Sequence, residues 1–483
     1  MNSGGPLKFV GIVLGLSASL YLVFHYLQYF GDITFLGGVL LLEIIIACLW
    51  NYDRYFFVFL VTAFAWAGMH LPLESSWTIA RWVVLGAGAV AGFIIWTKAP
   101  RRPFGSLHLI AFFCVCAAFV SATVSSFAQM ATLKALSLSL LFLYCSTGAR
   151  LAVLRREEKF FAGLLLGSEL LVYFTAICYF GGLSVWGNPN SLGAVMSIAV
   201  FPFLLWGWFT TDGPIVKFRR LTALLLCTYL VLFSMARAGM VSLAMVTVAF
   251  CFCLRQYRLL LKVMATVLAG IAITGMLYPD TLDNQISGFE DALLYKGHKD
   301  EGILGSRRTP WEQTINTIKL HPLFGTGYGT SPTGEDPGLD FGKVASSSET
   351  AREHGSSYMT IIEWVGLLGV LPFIMLIGVT LSNLWKTCAW MRRTADARSY
   401  SVPLAMMVLA GMVHAGFEDW LFAVGYYLCV YFWFFAFILA DLVPEPVESP
   451  VAQFVTRVPH PLSANLGAVV PDHVMRNSAA HNR

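Results

Sequence analysis

Apolar runs of about 15 to 24 residues, parted by short polar connections, recur along the chain as far as residue 440. Most come close to the ~20 residues that a helix needs to cross the hydrocarbon core of a bilayer. The pattern predicts spans at 9–30, 35–51, 55–69, 77–96, 107–124, 131–145, 160–180, 192–209, 221–235, 239–254, 261–277, 358–381, 402–416 and 420–440. The expected fold class is an all-α polytopic membrane protein with about 12–14 transmembrane helices. The run at 131–145 holds Lys134 and has several serines nearby, so a re-entrant or interfacial helix is the alternative there. One long polar stretch, 278–357, interrupts the series, and after Asp441 the apolar periodicity ends in a tail opened by Pro444, Pro446 and Pro450. Four regions are expected: membrane helices over 1–277, a large extracytoplasmic loop with short helices over 278–357, membrane helices over 358–441, and a disordered cytoplasmic tail over 442–483.

Composition agrees with this pattern. Of 483 residues, 57% are hydrophobic and only 12% charged, against about 25% charged in soluble domains. No small-residue cleavage site follows the first apolar run, so it reads as a retained span rather than a removed signal. The placement of charge says more than the net +4. Alternate connections hold Arg54; Lys98, Arg101 and Arg102; Arg150, Arg155, Arg156 and Lys159; Lys217, Arg219 and Arg220; Arg255, Arg258 and Lys262; Lys386, Arg392, Arg393 and Arg398. The intervening short connections hold only Arg237. By the positive-inside rule the first set is cytoplasmic, both termini with it, and 278–357 faces outward. The ten cysteines lie in or beside apolar runs. Cys114 with Cys116, and Cys251 with Cys253, stand two residues apart, which does not put both thiols on one helix face. They indicate neither a disulfide framework nor a metal site.

Candidate chemistry gathers at the outer face. Arg237 sits between two apolar runs and admits two readings: a snorkelling arginine over lipid head groups, or an anion ligand facing a cavity. Arg81, about one turn inside its span, poses the same choice, with snorkelling favoured. Within the loop, Thr309-Pro310-Trp311-Glu312 predicts a helix start, with a capping box from Thr309 to Glu312 and proline at the first position. Trp311, Ile315 and Ile318 then form an apolar stripe, and the helix ends near His321-Pro322. Arg307 and Arg308 precede that start. Two guanidinium groups at the positive end of a helix suit a diphosphate, and a solvated basic pair is the alternative. Gly325-Thr326-Gly327-Tyr328-Gly329 lacks the Gly-Lys-Ser/Thr ending of a nucleotide loop and reads as a tight turn returning the chain to the bilayer. His354, with Glu353 before it, stands just ahead of a span, where a histidine can act as general base or hold a hydroxyl; taken alone it is more often structural. His298, His321 and His414 have no better case. Glu363 and the pair Glu418-Asp419 either pair with the arginines or cap helix ends. Acidic residues outnumber basic ones in the loop, which disfavours a general polyanion surface.

In order and spacing, these landmarks resemble the bacterial O-antigen ligase and O-antigen polymerase superfamily over about 187–369. The residues that carry the resemblance are Gly187-Asn188-Pro189-Asn190, Arg237-Ala238-Gly239, Ser306-Arg307 with Trp311, His321-Pro322-Leu323-Phe324-Gly325 with Gly327 and Gly329, and His354 ahead of Ser357-Tyr358, Glu363 and Gly366-Leu367-Leu368-Gly369. The resemblance implies a metal-independent, inverting glycosyltransferase of the bacterial inner membrane that needs no cofactor. Such enzymes move a glycan from undecaprenyl diphosphate to lipid A core, a growing lipid-linked glycan or a protein hydroxyl, and bind no nucleic acid. Carried over by position, Arg237 and Arg307 hold the diphosphate and His354 orients or deprotonates the acceptor hydroxyl. Arg308, Arg352, Glu353 and Asn190 join as substrate-binding residues. Ala236 stands where the family usually has serine, and Gly355 where asparagine is frequent; both departures bear on the acceptor. Polymerase and protein O-oligosaccharyltransferase readings stay open. A secondary transporter is disfavoured, because ionisable residues collect at the outer face and no pair of symmetrically broken helices is evident.

Overall fold

The computed structural model describes residues 55–69, 74–98, 103–154, 156–183, 185–186, 188–277, 305–331 and 352–444, with Glu43 and Ile45. The expected span at 9–30, nearly all of 35–51, and Gly187, His298 and the tail from 445 lie outside the described residues. The architecture is all-α, with helices and turns and no strand among the described residues. In chain order the helices are α1 (Tyr55–Trp66), α2 (Glu74–Lys98), α3 (Ser106–Thr123), α4 (Ala128–Ser146), α5 (Gly148–Val153) and α6 (Glu157–Phe180). Next come α7 (Pro189–Ala194), a π-helical turn (Val195–Val200), α8 (Phe201–Thr210), α9 (Pro214–Phe233), α10 (Arg237–Cys253) and α11 (Tyr257–Leu277). The last four are α12 (Gly305–Leu320), α13 (Ser357–Thr394), α14 (Ser401–Ala415) and α15 (Tyr427–Leu442). Six described helical stretches are long and apolar enough to cross a membrane: Ala80–Lys98, Ser106–Thr123, Ala128–Val153, Glu157–Phe180, Pro189–Thr210 and Ser357–Thr394. The chain is a multi-pass membrane protein.

Three sequence expectations change in detail. The run at 131–145 belongs to a 26-residue apolar stretch, Ala128–Val153, so it has the length of a span rather than of a short interfacial helix. The expected span at 420–440 is helical only from Tyr427. Before it, 420–426 makes turns because its polar groups find other partners. The Leu421 amide donates to Ser357 Oγ at 3.0 Å, and the Leu421 carbonyl accepts from Trp433 Nε1 at 2.7 Å. The loop helix α12 begins at Gly305, so Arg307 and Arg308 lie inside its first turn and Pro310 lies within the helix.

At the centre stand α14 and α15, whose side chains are almost all buried. Aromatic rings pack α15 into its neighbours: Phe434 stacks on Phe57 at 3.9 Å between centroids, and Trp433 meets Phe142 edge-on at 5.5 Å. Between helices in lipid there is no water to expel, so such close packing supplies the attraction through dispersion. The outward faces of α6 and α13 expose Leu166, Leu170, Ile177, Leu371 and Ile374, as lipid-facing surfaces do.

The element that positions the site is α13, which is not one continuous helix. At Gly366 its backbone turns to φ 67° and ψ −179°, a conformation that residues with a Cβ rarely adopt. The polar groups freed by the break must be satisfied inside the protein, since lipid offers no hydrogen bonds. The turn after α12 satisfies them. Thr326 N and Gly327 N donate to the carbonyls of Glu363 and Trp364 at 2.9 and 3.1 Å, and Leu367 N and Leu368 N donate to those of Pro322 and Leu323 at 2.8 and 3.1 Å. A Cβ on Gly366 would stand 2.3 Å from the Leu323 carbonyl oxygen, and one on Gly325 would stand 2.4 Å from that of Glu363. The run His321-Pro322-Leu323-Phe324-Gly325 is thus the clamp on a broken membrane helix. The tight turn expected at 325–329 is present, with positive φ at Gly325, Gly327 and Gly329.

Candidate functional site

The clamp brings three separate pieces of chain to one place. Residues 352–357 lead into α13, 327–331 follow the clamp, and 416–426 join α14 to α15. Tyr328 is buried there, and its hydroxyl donates to the Phe422 carbonyl at 2.7 Å. Ser357 Oγ donates to the Glu418 carbonyl at 2.6 Å. These bonds fix the frame on which the polar side chains sit.

His354 is the centre of the cluster and only 2% exposed. Its Nδ1 lies 2.9 Å from Asp419 Oδ2, and its Nε2 lies 2.7 Å from Ser331 Oγ and 3.2 Å from Glu363 Oε1. Trp364 Nε1 donates to Ser331 Oγ at 3.1 Å. Arg352 donates to Glu363 and to Thr314. Burial works against charge on His354, but its hydrogen bonds to Asp419 and Glu363, and their negative charges, outweigh that, so its pKa stands above the ordinary histidine value. Asp419 answers in the opposite sense. Burial would raise it, yet the bonds and charge of His354 hold it below the usual aspartate value.

Beside this pair, Arg307 donates to Glu353 and to Glu418. Burial keeps the Glu418 pKa above the ordinary glutamate value despite the Arg307 charge beside it. Arg237, the first residue of α10, is near enough to Arg307 for the two charges to repel. The two arginines carried over by position thus feel each other's charge, although 70 residues separate them in the chain.

A cavity of about 860 Å³ opens over the cluster, with His354, Asp419, Glu418, Glu353, Arg352 and Ser331 in its lining. Arg81, Lys134, Asn190, Ser191 and Tyr426 also line it. Of the residues expected in the site, His354, Arg352, Glu353 and Asn190 line this cavity; Arg237 and Arg307 are not among its lining residues, although Arg307 is tied to two that are, Glu353 and Glu418. Arg308 does not join them; its exposed side chain pairs with Glu312 one turn along α12. Glu363 and Glu418 do pair with arginines. Two partners of His354 were not legible beforehand in that role. Asp419 stood out only as half of an acidic pair, and nothing in the sequence around Ser331 marks it. Arg81, expected to snorkel, faces the cavity instead, where its Nη1 donates to the Gly425 carbonyl at 2.7 Å.

A family model described as O-antigen ligase matches residues 222–374. The matched stretch contains Arg237, α12, the clamp, His354 and the break in α13, and it overlaps the segment over which the landmarks resemble that superfamily. A search of curated proteins gives no match.

Proposed function

We propose that this multi-pass membrane protein, whose residues 222–374 belong to the O-antigen ligase and polymerase superfamily, is a ligase-like glycosyltransferase of the bacterial inner membrane. In this reading it takes a glycan from undecaprenyl diphosphate at the outer face and transfers it to an acceptor hydroxyl on lipid A core or on a growing glycan. The family match supports glycan transfer in general. The observation that carries the finer reading is the buried His354 between Asp419 and Ser331 in the lining of an 860 Å³ cavity. Cytoplasmic termini and an outward 278–357 follow from the distribution of basic residues.

The chemistry suits these side chains. A neutral imidazole with its Nδ1 proton on Asp419 leaves Nε2 able to take the proton of a hydroxyl. The hydroxyl oxygen attacks the anomeric carbon from the face opposite the diphosphate. The bond from that carbon to the phosphate oxygen breaks, its electron pair leaves on the diphosphate, and the anomeric configuration inverts. The charge left on phosphate is stabilised by Arg237 and Arg307, fixed guanidinium groups whose attraction is strongest where water is sparse. No metal is required for these steps. Glu353, whose side chain is 66% exposed, is the partner that a diphosphate displaces from Arg307.

The test is transfer from a lipid-diphosphate glycan donor in membranes or nanodiscs. Arg237→Ala, Arg307→Ala and His354→Ala are each expected to lower transfer by about 10²- to 10³-fold, with membrane levels of the protein unchanged. Full transfer by the His354 variant removes its role in catalysis.

A further inference from the structure

Two further cations line the cavity over His354, and they are partnered differently. Around His354, Arg307 meets Glu353 and Glu418, and Arg352 meets Glu363. In the same lining, Arg81 comes from α2 and Lys134 from α4. Each is met by a single backbone carbonyl, Gly425 for Arg81 and Gly329 for Lys134. Neither has a carboxylate partner among the described residues, and Arg81 Nε is buried with no hydrogen-bond partner there. The Arg81 guanidinium is held in place by aromatic faces, 5.0 Å from the Trp82 ring and 6.0 Å from that of Phe64.

Such an arrangement is costly. Met130, Leu133, Leu136 and Leu140 make much of the adjoining lining apolar. Ionisable groups at membrane depth persist mainly where they face a cavity and a partner, and one neutral carbonyl does not balance a cation there. Rigid cation placement beside an open volume, with no balancing carboxylate among the described residues, is the arrangement of a ligand site. The volume falls in the usual range of about 300–1,000 Å³ for small-molecule and sugar-sized pockets.

We propose that Arg81 and Lys134 form a second anion subsite, which takes a carboxylate or phosphate group carried by the glycan substrates of this cavity. The inference rests on the glycan-transfer reading and narrows its substrate class to acidic glycans or phosphorylated acceptors. Asn190, Ser191 and Tyr426 supply neutral polar groups along the same lining for sugar hydroxyls.

The experiment is a thermal-shift titration of the purified full chain in nanodiscs with two probes, inorganic pyrophosphate and a glucuronate disaccharide. In R81Q/K134Q the concentration of at least one probe at half-maximal shift is expected to rise about tenfold, which is the loss of one charge-assisted contact. R81K is expected to recover part of that loss. Weakened glucuronate binding alone assigns a sugar carboxylate, weakened pyrophosphate binding alone assigns a phosphate, and either supports the subsite. Unchanged titration with both probes, or no binding of either by the unmodified chain, overturns it. If the double variant does not fold, K134Q carries the test alone, with a loss of about threefold expected and no loss overturning the proposal. Probe binding requires no transfer, so a failure of the transfer assay and a failure of this subsite read out separately.

Discussion

His354 Nδ1 and Asp419 Oδ2 stand 2.9 Å apart although 65 positions separate them in the chain. The His354 backbone amide also donates to the same carboxylate oxygen, at 3.2 Å. Asp419 therefore fixes both the ring and its backbone, and a neutral ring whose proton sits on Nδ1 toward Asp419 has Nε2 as its acceptor.

That pairing gives a pH dependence with a definite sign. The His354 pKa is raised in the folded protein, so the stability it contributes is fully present below the unfolded value of about 6.5. This contribution is lost as pH rises through the higher folded value. Transfer that uses His354 as base runs the other way and increases over the same window as the ring gives up its proton. Asp419→Asn removes a charge that raises the pKa, so the rise in activity is expected at lower pH, with a lower plateau from loss of the tautomer. Rate profiles and melting curves between pH 5 and 9, set side by side, check both signs.

Glu353→Gln frees Arg307 from its exposed partner while leaving Glu418 in place. An exposed pair contributes about 0.2–1 kcal/mol. The variant is thus expected to lower the KM for a lipid-diphosphate donor by at most about fivefold, with kcat little changed. A raised KM would show that Glu353 assists binding rather than competing with it.

Gly366→Ala tests the clamp. The added Cβ would meet the Leu323 carbonyl at 2.3 Å in a backbone conformation of φ 67°, so both strain and collision act. The expected cost is about 1–3 kcal/mol from the backbone alone, read as a lower melting temperature and loss of transfer. An unchanged melt would mean that α13 can close into a continuous helix without the turn at 322–327.

Arg308→Ala is the control within the same helix turn as Arg307. Its exposed pair with Glu312 contributes roughly 0.3–0.5 kcal/mol. Transfer and melting temperature are expected to stay near those of the unmodified chain. A loss comparable to that of Arg307→Ala would require Arg308 to reach the substrate.

Much of the fold was legible in the sequence because its signal is local. A run of apolar residues long enough for a bilayer declares a span wherever the helix later packs, and 57% hydrophobic content leaves no soluble alternative. The turn at 325–329 was equally local, since its glycines supply the positive φ that it needs. Capping logic made Thr309 the cap and Pro310 the first residue of α12, five residues after the observed start at Gly305. The sequence-local preference for proline in a first turn yielded to tertiary contacts, in which Arg307 is tied to Glu353 and Glu418 and the helix extends back to Gly305.

The sequence by itself determined the membrane class, the outline of most described membrane helices and the order of the landmark residues, all of which depend on hydropathy and backbone preference over short windows. Only the tertiary structure decided that Asp419 rather than Glu353 partners His354, that Glu363 answers Arg352, and that Arg81 turns into the cavity rather than toward the lipid surface. It also decided that His321-Pro322-Leu323-Phe324-Gly325 closes a break in α13. The physical reason is the same in each case. A buried charge or an unpaired backbone group must find a partner, and which partner lies within 3 Å depends on how distant segments pack rather than on their neighbours in the chain.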